Sequence, residues 1–334
     1  MSESGWRPSL HEDEWRGESD PTCPLPWACP ERMGPKGRVP PWSFLDLCGD
    51  MIQVREYGTA GPPVILLHGG PGARGYMAPV ARGLAGDFRV VEPFQRGSGA
   101  KRLSVSVHID DLDEVVRAHR RIAGAPPALV GSSWGAMLAL AYGARHSGSI
   151  AGIGLIGCGT FDEESRAWFR ATLDSRMDEA LRVRLARLDV EIPDPDERLR
   201  ARAELLFPLY AYDPADSNLE VEGVDAVAYA QSWNDMLSLQ SEGVYPESFR
   251  RISEPVMMFH GKWDPHPGSL IRESLLPFIP HLEYHEWDLC GHYPWVEREV
   301  ADDFFLILRR WLARVSGETR EGEQAGVREN APQG

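Results

Sequence analysis

Apolar residues along the chain fall into short runs separated by stretches of helical spacing. Residues Met51 to Tyr57 alternate apolar and polar, the period of an edge or antiparallel strand. Val64 to Leu67 is an unbroken apolar run that stops at His68-Gly69-Gly70, and Phe88 to Val91 is a second. Asp110 to Ile122 places Leu112, Val115, Val116 and His119 on one helical face. Ala128 to Val130 reads as a buried strand ending in Gly131, and Met137 to Tyr142 as an apolar helix. Further strands are predicted at Ile153 to Ile156, Val256 to Phe259 and Leu282 to Trp287, before a closing amphipathic helix from about Val296 to Leu312. Continuous apolar strands alternating with helices predict an α/β fold: a mostly parallel central sheet with helices on both faces.

The rhythm breaks in three places. Residues 1–44 are rich in proline and charge and lack periodicity, which predicts a poorly ordered tail; the polar stretch 317–334 predicts a second, disordered one. Residues 161–251 are charged and helical in spacing, as in Arg182 to Leu188, with no convincing strand. They read as a helical cap inserted into a core of residues 45–160 and 252–316.

Composition narrows the function. With 334 residues, 43% hydrophobic and 25% charged, the chain has ample material for a globular core. Its net charge of −15 argues against partners that need a basic surface, so neither nucleic acid nor an anionic membrane is expected. Part of that acidity sits in the two tails, so it says little about a pocket. No apolar run is long enough to span a bilayer, and the N-terminus lacks the basic and apolar regions of a secretory leader. Five scattered cysteines form no disulfide framework, and reduced thiols in the cytoplasm are expected. Cys23 and Cys29 have the spacing of half a zinc site, but no second pair follows, so no metal is expected.

The sharpest local signal is Gly131-Ser132-Ser133-Trp134-Gly135, which follows a predicted strand and opens a predicted helix. A strand that reverses into a helix within about one residue forces the central serine into a strained backbone and lifts its side chain above the sheet. The glycines on either side let backbone approach closely. Ser133 is therefore the candidate nucleophile. His68-Gly69-Gly70-Pro71-Gly72 also follows a strand and lays free N–H groups near the same sheet edge. The amides of Gly70 and of Trp134 are the expected oxyanion donors.

A serine nucleophile needs a base, and the base needs an orienting acid. Asp264 follows the strand at Val256 to Phe259, and His292 follows the strand at Leu282 to Trp287, just before the last helix. Asp288 is the rival acid, whereas His260, His266 and His285 are set aside as strand or loop residues. Cys290 reads as packing, and His68 as a residue that orders its loop.

Together with Gln95-Arg96-Gly97-Ser98-Gly99, these motifs resemble the proline iminopeptidase branch of the α/β-hydrolase superfamily over roughly Leu45 to Leu312, weakly in the insertion. The resemblance implies the α/β-hydrolase fold, with Ser133, Asp264 and His292 as catalytic triad and a helical cap over the site. Two departures stand out. Phe94 replaces an aspartate usual before Gln-Arg-Gly, and Asn234 stands where a cap glutamate holding a substrate amine is expected, with Asp235 beside it.

Gly69, Arg96, Trp233 and Asp235 are the candidate substrate contacts, although Arg96 is equally suited to bracing its loop. The expected substrate is a small molecule or short peptide, with no cofactor; the sequence leaves the oligomeric state open. An aminopeptidase needs a negative pocket, whereas a carboxylesterase, lactonase or amidase needs an apolar one. A non-catalytic binding protein on the same fold is the reading from a different class.

Overall fold

The computed structural model describes residues 43–47, 50–216, 219 and 221–317. Most of both predicted tails, with Cys23, Cys29 and Cys48, lies outside the described residues.

An eight-stranded sheet forms the centre. Its strands are β1 (Ser43–Leu47), β2 (Asp50–Tyr57), β3 (Pro63–Leu67), β5 (Arg89–Pro93), β6 (Ala128–Ser132), β7 (Gly152–Ile156), β9 (Val256–Gly261) and β10 (Leu282–Trp287). The short strands β4 (Ala73–Arg74) and β8 (Gly223–Val224) pair separately. The sheet order is β1-β2-β5-β3-β6-β7-β9-β10. Strands β1, β2 and β5 pair antiparallel, and every pair from β5 to β10 is parallel. The alternation of Met51 to Tyr57 thus marks an antiparallel strand, but not an edge, because β1 covers its outer side.

Helices α1 (Ala78–Leu84), α2 (Val105–Ala123) and α3 (Trp134–Arg145) precede four more in the insertion: α4 (Glu163–Arg176), α5 (Glu179–Glu191), α6 (Pro195–Tyr210) and α7 (Ala226–Ser241). Then come α8 (Gly268–Leu275) and α9 (Ala301–Val315). The last helix starts later than its apolar spacing suggests, because Pro294 opens a separate 3-10 turn over Pro294–Val296.

Two apolar clusters flank the sheet. One gathers Ile65, Leu129, Ile153 and Met258 with α2 and α3; the other gathers Val64, Val130 and Phe259 with α1 and α9. Alternate residues of each strand therefore feed opposite layers, as expected of a sheet buried on both faces. Helix α3 is buried almost all round, which explains its lack of a polar face.

The sheet holds up a row of loops at its C-terminal edge. The loops after β3, β6, β9 and β10 carry His68, Ser133, Asp264 and His292, and Gly157 directly follows β7. No helix among the described residues is long and apolar enough to cross a membrane.

Candidate active site

Ser133 sits on the turn from β6 into α3 with φ 54° and ψ −117°. It is the one non-glycine residue with positive φ among the described residues, a strained conformation for an L-amino acid. The turn closes because its flanking glycines have no side chains. A Cβ on Gly131 would overlap Gly135, and a Cβ on Gly135 would overlap the Leu67 carbonyl. The Ser133 N–H donates to the Ile156 carbonyl at 2.8 Å, which ties the turn to the end of β7. Its side chain is half-buried and, among the described residues, has no hydrogen-bond partner.

The loop after β3 is built around His68. Its ring accepts the Gln95 N–H at 3.1 Å and faces the Gly69 carbonyl at 3.0 Å, while Gln95 Nε2 donates to the His68 carbonyl at 2.6 Å. Burial pushes its pKa down to about 4, so it stays neutral. Gln95 also accepts the Trp134 indole N–H at 2.8 Å, joining this loop to the turn that carries Ser133. The Gly69 amide donates to the Tyr76 hydroxyl, and a Cβ on Gly69 would stand 2.8 Å from that of Ser133. Gly69 is therefore a close-approach position. The Gly70 and Trp134 amides have no hydrogen-bond partner among the described residues, and Trp134 opens a helix. Such amides suit a developing negative charge.

His292 is buried, and its Nδ1 lies 2.6 Å from Asp264 Oδ2. Its backbone N–H donates to the Tyr210 carbonyl at 2.7 Å, anchoring it to the end of α6. Its ring packs on Gly157, where a Cβ would stand 2.8 Å from Nδ1. Buried Glu297 binds the amides of Gly291, Tyr212 and Asp213, fastening the His292 loop to the insertion.

Asp264 is surrounded by imidazoles. Oδ2 also faces His260 Nε2 at 3.2 Å, and Oδ1 accepts the His266 N–H and faces His266 Nδ1, both at 2.9 Å. Burial alone would raise its pKa, but His292, His266 and His260 more than offset that and hold the carboxyl well below the usual range. Ligand-capable atoms of Asp264, His266 and His292 lie within 4.8 Å of one another. The hydrogen bonds between the carboxylate and the two rings account for that closeness.

His260 and His266, set aside in the sequence, thus both touch Asp264. The rival Asp288 points away, 80% exposed and paired with Lys262 at 2.9 Å. Cys290 is buried, and burial keeps its thiol protonated.

The remaining candidates divide. Trp233 packs edge-on to Trp134 with ring centroids 5.9 Å apart. The Arg96 guanidinium is bidentate to Asp111, at 2.8 and 2.7 Å, so it braces its loop against α2. Asp235 accepts the Val105 N–H at 2.8 Å and closes the start of α2. Both carboxylate contacts join residues far apart in sequence, and spacing gave no sign of them. Around His292 stand aromatic rings: Tyr210 at 5.4 Å, Tyr293 at 4.7 Å and His266 at 4.8 Å between centroids.

Residues 64–303 match the family described as "Alpha/beta hydrolase family". Over 103 residues the chain is 39% identical to a proline iminopeptidase of Neisseria meningitidis, covering 29% of this chain and 33% of that one. Over 119 residues it is 34% identical to a proline iminopeptidase of Arabidopsis thaliana, covering 33% and 30%. The chain spans about a third of the length of these curated relatives. Among solved structures, a proline iminopeptidase of Mycobacterium smegmatis superposes with a TM-score of 0.56 at 18% identity, over 82% of this chain and 98% of that one. An esterase from Exiguobacterium antarcticum superposes with a TM-score of 0.57 at 18% identity, over 81% and 98%. At such identity the likeness to the solved structures is one of fold.

Proposed function

The chain belongs to the alpha/beta hydrolase family, and from that premise we propose that it is a serine hydrolase that cleaves an ester or amide bond of a small substrate. In this reading Ser133 attacks the carbonyl carbon while His292 takes the hydroxyl proton. Asp264 holds the imidazole and balances the charge that forms on it. The Gly70 and Trp134 amides bind the oxyanion. His292 then protonates the leaving group, and water repeats the sequence on the acyl-enzyme. The observation that carries the reading is the strained Ser133 backbone on a strand-to-helix turn.

The nature of the acyl group and leaving group divides the proposal. The short matches to proline iminopeptidases favour a peptide substrate with a free amine. A specific contact favours an ester or amide without one: Asp235, the acid beside the expected amine-binding position, gives its Oδ2 to the Val105 N–H. The tyrosine rings beside His292 suit an uncharged group as well. We take the esterase or amidase reading as the better supported of the two, acting in a cytoplasmic protein.

Hydrolysis of short-chain aryl esters is compared with that of proline and alanine arylamides, using Ser133→Ala as control. Ester turnover that disappears in Ser133→Ala, with little arylamide turnover, is the expected result. Preferred cleavage of proline arylamide would restore the aminopeptidase reading.

A further inference from the structure

Asp264 offers two oxygens, and the three histidines around it divide them unevenly. His292 and His260 meet Oδ2, whereas His266 supplies both contacts to Oδ1, one from its backbone and one from its ring. A carboxylate held on one oxygen alone is free to swing about its Cβ–Cγ bond. Here His266 fills the second oxygen and leaves Oδ2 directed at His292.

His266 also touches the base directly. Its ring stacks on His292 with centroids 4.8 Å apart and planes 28° apart. Its other face stacks on Phe169 of α4 at 4.3 Å and 19°, and Tyr210 of α6 stands 6.0 Å away. Only 12% of the side chain is exposed. One imidazole therefore joins the acid, the base and two helices of the insertion.

We infer that His266 is a positioning residue for the reaction, fixing the Asp264 carboxylate through Oδ1 and the plane of the His292 ring through the stack. The inference rests on the serine-hydrolase reading above. It gives the insertion a part in the reaction: Phe169 presses His266 onto the base, so the seating of α4 sets how well the base is aimed. A misaimed base costs catalysis and not binding, because the substrate need not touch His266.

Two substitutions separate the ring's two contacts. His266→Phe keeps an aromatic face and loses the Nδ1 donor, while His266→Asn keeps a donor for Oδ1 and loses the stack. Ester hydrolysis is measured per active site, counted by fluorophosphonate titration. The proton between His292 and Asp264 is followed by its far-downfield NMR resonance. In His266→Phe, kcat is expected to fall about tenfold, with KM within about twofold, as one charge-assisted hydrogen bond is lost. The resonance shifts, and His266→Asn regains the part of the loss that the Oδ1 bond carries while keeping a fall of about threefold from the missing stack.

A role confined to the scaffold would lower the melting temperature of both variants while leaving kcat per labelled site and the resonance unchanged; that result overturns the inference alone. If wild type takes no label, the serine-hydrolase reading fails and this one with it. If His266→Phe does not fold, Phe169→Ala decides, since it removes the outer stacking face and leaves the Asp264 contacts intact. Its kcat is expected to fall about threefold, the worth of one aromatic stack, and an unchanged kcat overturns the inference.

Discussion

The Ile156 carbonyl accepts the Ser133 N–H, so the last residue of β7 fixes the turn that carries the serine. The next residue, Gly157, lies under the His292 ring with φ 52°. Two successive backbone positions thus set the serine and the histidine relative to one another. Neither contributes a side chain, so the alignment does not depend on a rotamer.

Gly157→Ala tests this directly. The new Cβ would lie 2.8 Å from His292 Nδ1 and 2.9 Å from its Cε1, and the ring has to move. We expect a fall in kcat of about a hundredfold, as for a catalytic group misplaced by about 1 Å. The ester assay checks it alongside thermal melting. Unchanged turnover in a folded variant would show that the ring's seat on Gly157 is irrelevant.

A contrast between two other glycines tests the turn. The Cβ of Gly135→Ala would overlap the Leu67 and His68 carbonyl oxygens, which are fixed in the sheet and its loop. A loss of about 3 kcal/mol or more is expected from forced overlap in a packed site. Gly86→Ala meets nothing within 4 Å and should fall within about 0.5 kcal/mol of wild type. Urea unfolding measures both, and equal losses would contradict the account of the turn.

Stability should fall on acidification through buried histidines. His68, His108 and His119 each have a pKa lowered to about 4, by burial above all. The unfolded chain protonates them near pH 6.5, so below that pH it binds more protons than the folded chain. Their contribution is whole above about pH 6.5 and declines as pH drops toward 4, by up to about 3 kcal/mol for each. His108 meets Ser232 at 2.7 Å, a contact between α2 and α7 that asparagine can also make. The loss of urea stability between pH 7.5 and pH 5 should be smaller in His108→Asn than in wild type. Equal losses would rule out His108 as a contributor.

Much of the candidate site's geometry was legible because its signals are local. Gly131 to Gly135 and His68 to Gly72 carry their geometry within five residues, since each needs glycine where backbone meets backbone. The strands at Val64, Ala128, Ile153 and Val256 were readable because both their faces are buried. Asp264 and His292 were legible as strand-end residues, and the structure brings them within 2.6 Å.

What stayed hidden depends on contacts across the chain. Asp235 reads in the sequence as a candidate substrate contact, and only the fold shows its Oδ2 against the Val105 N–H, 130 positions away. Arg96 left two roles open, and only the packing of its loop on α2 shows it engaged with Asp111. His266 lies two residues from Asp264, but a loop histidine between prolines has no period to mark it. The two-residue strands β4 and β8 were equally silent, being too short for a pattern, although they pair the loop after Gly72 with the insertion.

The central claim is that Ser133 is the nucleophile, and covalent labelling tests it most directly. Wild type is treated with a fluorophosphonate, then read by intact mass and peptide mapping. A single adduct is expected, on Ser133, and none in Ser133→Ala. An unlabelled wild type, or an adduct that persists in Ser133→Ala, would contradict it.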